Sequence, residues 1–215
     1  MKQTSRNLKQ AYIQKKRSIR ARLNDFKKIL RDEGDIRIFE ELTFCICTAG
    51  ASAKMGLKSV DAMRDILPGG NLKKLRKRLD GVHRFPNARS AYIIHTREYL
   101  KSEHDFKIKD LLESFQDPVE RRDFFAKNKN IKGIGYKESS HFLRNIGFSG
   151  YAILDKHILN TLYELKVIKN PEPPTTRDRY LEIEHKLKEF ANNIGIHLDE
   201  LDLLLWSEKT GEILK

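Results

Sequence analysis

Asn130-Ile131-Lys132-Gly133-Ile134-Gly135-Tyr136-Lys137-Glu138-Ser139-Ser140-His141-Phe142-Leu143-Arg144-Asn145-Ile146-Gly147 is the stretch from which the rest of the chain can be organised. Two glycines flank one aliphatic residue directly before an amphipathic run. Gly133 and Gly135 permit a tight turn and let one backbone approach another closely. Ile134 is expected to be the apolar peg that seats this turn. The helix that follows is expected over 137–147, with its first N–H groups pointing outward. Such a helix start binds anions and suits a phosphodiester. Two helices joined by a glycine hairpin form a helix-hairpin-helix pattern. The bland alternative is an ordinary connection between helices.

Lys137 and Asp155 sharpen that reading. Lys137 begins the second hairpin helix, and a lysine at a helix N-terminus among other bases has its charged form disfavoured. An uncharged lysine amine is a nucleophile able to form a Schiff base with a sugar carbon. Asp155 lies downstream at the end of the apolar run Tyr151-Ala152-Ile153-Leu154 and is placed to cap a helix from Lys156. A carboxylate there can stabilise positive charge developing at the attacked carbon. Taken singly, each residue has a plain structural role, as a surface lysine and as an N-cap.

Outward from this segment the chain reads as helices. Residues 7–31 carry Leu8, Ala11, Tyr12, Ile19, Leu23, Phe26, Ile29 and Leu30 near helical spacing. Further helices are expected over 36–48, 53–67, 71–79, 87–101, 105–115, 118–128, 156–166, 176–193 and 197–207. Gly34, Pro68-Gly69-Gly70 and Gly81 serve as stops. Pro118 suits a first helical turn, and Thr175 or Thr176 can cap the helix after the PEPPTT connector. Strand signals are thin, so the fold class is all-α.

The 215 residues fit one domain or two intimate lobes. Lys+Arg 42 against Asp+Glu 30 leaves a net charge of +12, and 33% of residues are charged. That surplus favours a polyanionic partner, nucleic acid or an anionic membrane surface, although a merely basic soluble protein would share it. Residues 1–31 hold eleven bases and one acid, whereas 181–215 hold eight acids and four bases. A nucleic-acid face is therefore expected near the N-terminus, the KKLRKR run at 73–78 and the hairpin. That run can equally be a solvated helix face. No apolar stretch reaches the ~18 residues of a membrane helix, and the first residues lack the apolar core of a secretory signal, so a cytoplasmic, nucleoid-associated protein is expected.

Only Cys45 and Cys47 are present, too few for a four-cysteine iron–sulfur site. No HExxH or zinc-type spacing occurs, so no metal and no cofactor are expected. Both cysteines read as small core residues.

Over nearly its whole length the chain resembles the helix-hairpin-helix DNA glycosylases that carry a Gly/Pro-rich hairpin and a downstream Asp. It is most similar to the type-2 8-oxoguanine DNA glycosylase/AP lyase branch. The resemblance is strongest over Lys132–Gly147, Ala152–His157 and Leu205–Lys215. It implies two helical lobes with a cleft between them, a hairpin lobe near 54–150 and a second lobe formed by 1–53 with 151–215. It implies that Lys137 attacks C1′ of the damaged nucleotide, that Asp155 assists departure of the base, and that β-elimination then cuts the strand. Lys132, Gly133 and Gly135 would contact DNA. Lys215 would read the damaged guanine and Trp206 would offer a stacking surface, where a frayed tail and a core tryptophan are the plain alternatives. The implied partner is double-stranded DNA containing oxidised guanine, met by a monomer.

One departure stands out. Many relatives place Asn or Gln in the turn matching TAGASAK, where this chain has Gly50 with Ser52 nearby, so weak discrimination of the opposite base is expected. Phe85, beside Pro86, is expected in the core, with a DNA wedge as its second reading. Two other functions fit the pattern: a same-fold glycosylase for another damaged base, and a non-catalytic helix-hairpin-helix DNA-binding module.

Overall fold

A computed structural model describes residues 5–213, and among these the chain is built from α-helices with no strand. In order they are α1 (Ser5–Asp32), α2 (Asp35–Thr48), α3 (Ala53–Met63), α4 (Leu72–Leu79), α5 (Pro86–His104), α6 (Ile108–Ser114), α7 (Pro118–Lys127), α8 (Tyr136–Asn145), α9 (Lys156–Glu164), α10 (Arg177–Ile194) and α11 (Leu198–Thr210). A single 3-10 turn, Arg64–Ile66, continues α3. Each helix expected from apolar spacing is present, and the ends differ by a few residues.

The helix starts follow from side-chain chemistry. Ser52, Asn71, Asp117, Asp155 and Thr176 each accept a backbone N–H from the first turn that follows, at 2.8–3.3 Å. Each such cap contributes about 1 kcal/mol. Pro118 sits in the first turn of α7, where its missing N–H has no partner to lose.

The chain divides into two compact units: a central one, Lys28–Phe142, and a second formed by the chain up to Lys27 together with the chain from Leu143. Both boundaries fall inside helices, α1 and α8. The sequence reading set the hairpin lobe at 54–150; the observed central unit begins earlier because α2 packs on α3, α5 and α6.

In the central unit α2 is apolar nearly all round. Ile38, Phe39, Leu42, Phe44, Cys45, Ile46 and Cys47 are all buried, as expected of a helix at the middle of a core. Burial also pushes the Cys47 thiol up to about 12, so it behaves as a small apolar residue. Two of the acids on that helix, Glu40 and Glu41, are buried. Glu41 is held by Arg37 at 2.7 Å, and Glu40 by Arg37 at 3.3 Å and Arg64 at 3.2 Å. Phe125 packs on Phe124 and Phe142, with ring centroids 5.2 and 5.0 Å apart.

The second unit centres on α10 and α11. Tyr180, Ile183, Leu187 and Ala191 of α10 and Leu198, Leu201, Leu203, Leu204 and Leu205 of α11 are buried, together with Leu8, Ile19 and Phe26 of α1. Gly147 has φ +106, and a Cβ there would stand 2.7 Å from Lys27 Cα. Only glycine lets the chain leaving α8 lie against the α1 backbone so closely. No described helix is long and apolar enough to cross a membrane.

Candidate functional site

The hairpin between α7 and α8 belongs to the central unit, and α5 braces it. The Lys132 N–H donates to Thr96 Oγ1 at 2.9 Å. Gly133 has φ +79, and a Cβ there would meet Tyr92 Cδ2 at 2.5 Å and Arg89 Nη1 at 3.3 Å. Gly133 is thus required twice, by its dihedral and by the ring of Tyr92. The apolar anchor of the turn is Ile131, which is buried. Ile134, expected to seat the hairpin, is only half-buried at the tip. It lies between the two glycines, where the chain turns at the surface.

Gly135 is the residue before α8. Its N–H donates to Glu138 Oε2 at 3.2 Å, and its carbonyl accepts the first helical bond from Ser139 at 2.9 Å. This is the returning half of a capping box, three residues apart. Lys137 therefore sits in the first turn of α8. Its Nζ lies 2.9 Å from Glu138 Oε1, with the lysine side chain 35% exposed and the glutamate 13%. The immediate neighbour of the amine is a carboxylate, where the sequence reading had set other bases. Next to it, Tyr136 donates to Asp123 Oδ1 at 3.0 Å, and Lys127 holds the other oxygen at 2.7 Å. Burial and the bond to Asp123 hold the Tyr136 phenol above its ordinary range.

Beside Gly50 (φ +67) stands Arg84, with Nη2 3.9 Å from where a Cβ would be. The Arg84 guanidinium lies 4.5 Å over the ring of Phe85. Phe85 is 42% exposed, which corrects its assignment to the core. His83 takes the inward position instead. Its Nδ1 accepts from the Phe85 N–H and its Nε2 meets the Cys47 carbonyl, each at 2.9 Å, and burial lowers its pKa. The basic run in α4 is exposed apart from Leu75, as a solvated helix face would be.

In the second unit Asp155 caps α9 as expected, with Oδ1 accepting from Ile158 N at 2.8 Å. The segment before it is gripped along its backbone by four side chains. Asp199 accepts from Gly150 N at 2.9 Å, Glu184 from Ala152 N at 2.9 Å and Asp202 from Ile153 N at 3.0 Å. Tyr180 Oη accepts from Leu154 N at 3.4 Å and donates to the Ala152 carbonyl at 2.6 Å. Burial pushes the Asp202 carboxyl up to about 7 against the pull of Arg144, and Asp155 and Asp199 add to the rise.

Lys132, Gly133, Gly135 and Lys137 thus share one hairpin of the central unit, while Asp155 and Trp206 belong to the other unit. Trp206 is half-buried on α11, with part of its side chain open to solvent. Lys215 lies outside the described residues. Sequence reasoning missed Glu138, Arg84 and the bracing set Arg89, Tyr92 and Thr96. For Glu138 a signal existed, because Gly135-x-x-Glu138 has capping-box spacing. For the others only tertiary packing reveals the role.

A sequence model of the 8-oxoguanine DNA glycosylase family matches residues 19–196. An 8-oxoguanine DNA glycosylase/AP lyase of Methanocaldococcus jannaschii is 39% identical over 197 residues, covering 90% of each chain. One of Fusobacterium nucleatum is 36% identical over 211 residues, covering 97% of this chain and 96% of its own. The crystal structure of the Methanocaldococcus jannaschii 8-oxoguanine glycosylase/lyase in complex with a 15mer DNA containing 8-oxoguanine superposes with a TM-score of 0.87 at 36% identity, covering 97% of this chain and 99% of that one.

Proposed function

This chain belongs to the 8-oxoguanine DNA glycosylase family, and from that premise we propose that it excises 8-oxoguanine from duplex DNA and then cuts the strand at the site left behind. It is a bifunctional enzyme, a glycosylase and an AP lyase. A guanine inside a duplex cannot be reached, so the damaged nucleotide is first extruded, at a cost of about a few kcal/mol.

Lys137 Nζ then attacks C1′. The bond from C1′ to the base breaks, and the purine leaves with its electron pair. The Asp155 carboxylate stabilises the positive charge growing on the sugar. The nitrogen, now bonded to C1′, gives up a proton and its lone pair expels O4′, which takes up a proton as the sugar ring opens to a Schiff base. That Schiff base makes the C2′ proton acidic, and its loss expels the 3′ phosphate by β-elimination. The hairpin of Lys132, Gly133 and Gly135 grips the phosphodiester backbone. Trp206 offers a stacking surface and Lys215 reads the damaged base. The enzyme works as a monomer on the DNA of the nucleoid.

The observation that carries this reading is the Lys137 amine, one-third exposed in the first turn of the helix that the glycine hairpin presents. Borohydride trapping tests it, on a labelled duplex with one 8-oxoguanine beside undamaged and abasic controls. A covalent adduct on the lesion and on the abasic duplex, lost in Lys137→Gln, is the expected result. Trapping on the abasic duplex alone would keep the lyase and reopen the choice of base. No adduct on either would leave a non-catalytic DNA-binding module.

A further inference from the structure

Neighbouring residues on a helix point about 100° apart and do not ordinarily face one another. Lys137 and Glu138 nevertheless meet, at 2.9 Å between Nζ and Oε1. The reason is local. Glu138 turns back toward the helix start, where its Oε2 accepts the Gly135 N–H at 3.2 Å. One oxygen is thereby fixed to the hairpin backbone, and the other is held against the amine. The glutamate is mostly shielded, at 13% exposure, so its placement comes from the fold rather than from a chance surface pair.

A protonated lysine has no lone pair to offer, so attack on C1′ requires that its proton first go elsewhere. A general base must lie within hydrogen-bond reach of the proton that it takes, about 2.6–3.2 Å between heavy atoms. Glu138 Oε1 meets that condition.

We propose that Glu138 is the proton acceptor that frees the Lys137 amine, so that the helix cap and the general base are one residue. This rests on Lys137 being the nucleophile. An Nζ–H bond of the ammonium breaks and the proton passes to Glu138 Oε1, leaving a neutral amine and a neutral carboxyl. The freed lone pair forms the bond to C1′ as the bond from C1′ to the base breaks, and the departing purine takes that electron pair. The proton now on Glu138 stands beside the reaction and is available to the leaving group.

The test is the single-turnover rate of borohydride trapping on a duplex with an abasic site, which bypasses base excision. Wild type, Lys137→Gln, Glu138→Gln and Glu138→Ala are compared, with DNA affinity and Tm measured for each. Loss of trapping in Lys137→Gln establishes the nucleophile. Retention would overturn that reading independently of Glu138. Glu138→Gln keeps an oxygen for the Gly135 N–H but takes no proton, so it should slow trapping by about 100-fold, the lower end of general-base effects, at unchanged Tm and affinity. A rate within twofold of wild type would mean that Glu138 only caps the helix, and the proposal would fall. Added formate provides a second arm. A carboxylate from solution that raises the Glu138→Ala rate supports proton acceptance, and a rate that formate leaves unmoved counts against it.

Discussion

Arg144 and Asp202 form an ion pair inside the second unit, with Nη1 2.9 Å from Oδ2 and side chains only 3% and 2% exposed. The other oxygen of Asp202 accepts the Ile153 N–H at 3.0 Å, two residues before Asp155. The pair therefore ends on the backbone that delivers the carboxylate assigned to base departure. Arg144 also lies over Phe26, 5.4 Å from the ring centroid, so α1, α8 and α11 meet at this one pair.

Removing one partner would strand the other in the core. Asp202→Ala should destabilise the protein by about 3–5 kcal/mol, read as a lower urea midpoint. Stability should also depend on pH through this group. Burial raises the Asp202 carboxyl from 3.8 to about 7, so the folded state holds the proton more tightly than the unfolded chain does. Its contribution is then fully present below the unfolded value and is lost as pH rises through about 7. Wild type should lose more stability between pH 5 and pH 8 than Asp202→Asn does. Equal losses in the two proteins would refute the assignment.

Asp155 serves as a cap and, in the proposed chemistry, as a charge stabiliser, and one substitution separates these roles. Asparagine caps a helix about as well as aspartate. Asp155→Asn should keep Tm nearly unchanged while slowing 8-oxoguanine excision far more than it weakens DNA binding. Asp155→Ala should additionally lose about 1 kcal/mol of stability. Excision by Asp155→Asn at the wild-type rate would remove the residue from the mechanism.

Gly133→Ala should be damaging although it adds one methyl group. The left-handed backbone at φ +79 costs a residue with a Cβ about 1–2 kcal/mol, and the methyl would meet the Tyr92 ring at 2.5 Å. The hairpin must shift, and the first turn of α8 moves with it. Weaker DNA binding and slower trapping are expected together. Tyr92→Ala in the same chain removes the clash but not the dihedral cost, so it should restore only part of the loss.

The parts of this protein that were legible in the sequence are those governed by near neighbours. Helix periodicity, the caps at Asp155 and Thr176 and the turn at Gly133 are all set within a few residues along the chain. Ile134 and Phe85 were misjudged because burial is decided by distant partners. Ile131 rather than Ile134 reaches the core, and Phe85 stays exposed because His83 takes the inward place against Cys47. Glu138 sits at a legible spacing, yet its second bond, to Lys137, follows from a side-chain direction that no spacing rule gives.

The turn after α2 carries a prediction about the base opposite the lesion. Gly50 offers no side chain to the turn after α2, and its neighbour is the Arg84 guanidinium stacked on an exposed Phe85. The Arg84 fork carries donors and no acceptor and is engaged by the Phe85 ring. Gly50 has no side chain to read a base edge, so this turn is expected to discriminate among bases weakly. Excision rates opposite cytosine, adenine, guanine and thymine should therefore lie within about one order of magnitude, a spread of 1.4 kcal/mol. Phe85→Ala should lower affinity for the lesion duplex opposite all four bases alike, as expected of a side chain that stacks rather than reads hydrogen bonds. A strong preference for cytosine in the wild type would show that a group other than Gly50 reads the partner base. If that preference disappeared in Arg84→Ala, the group would be Arg84.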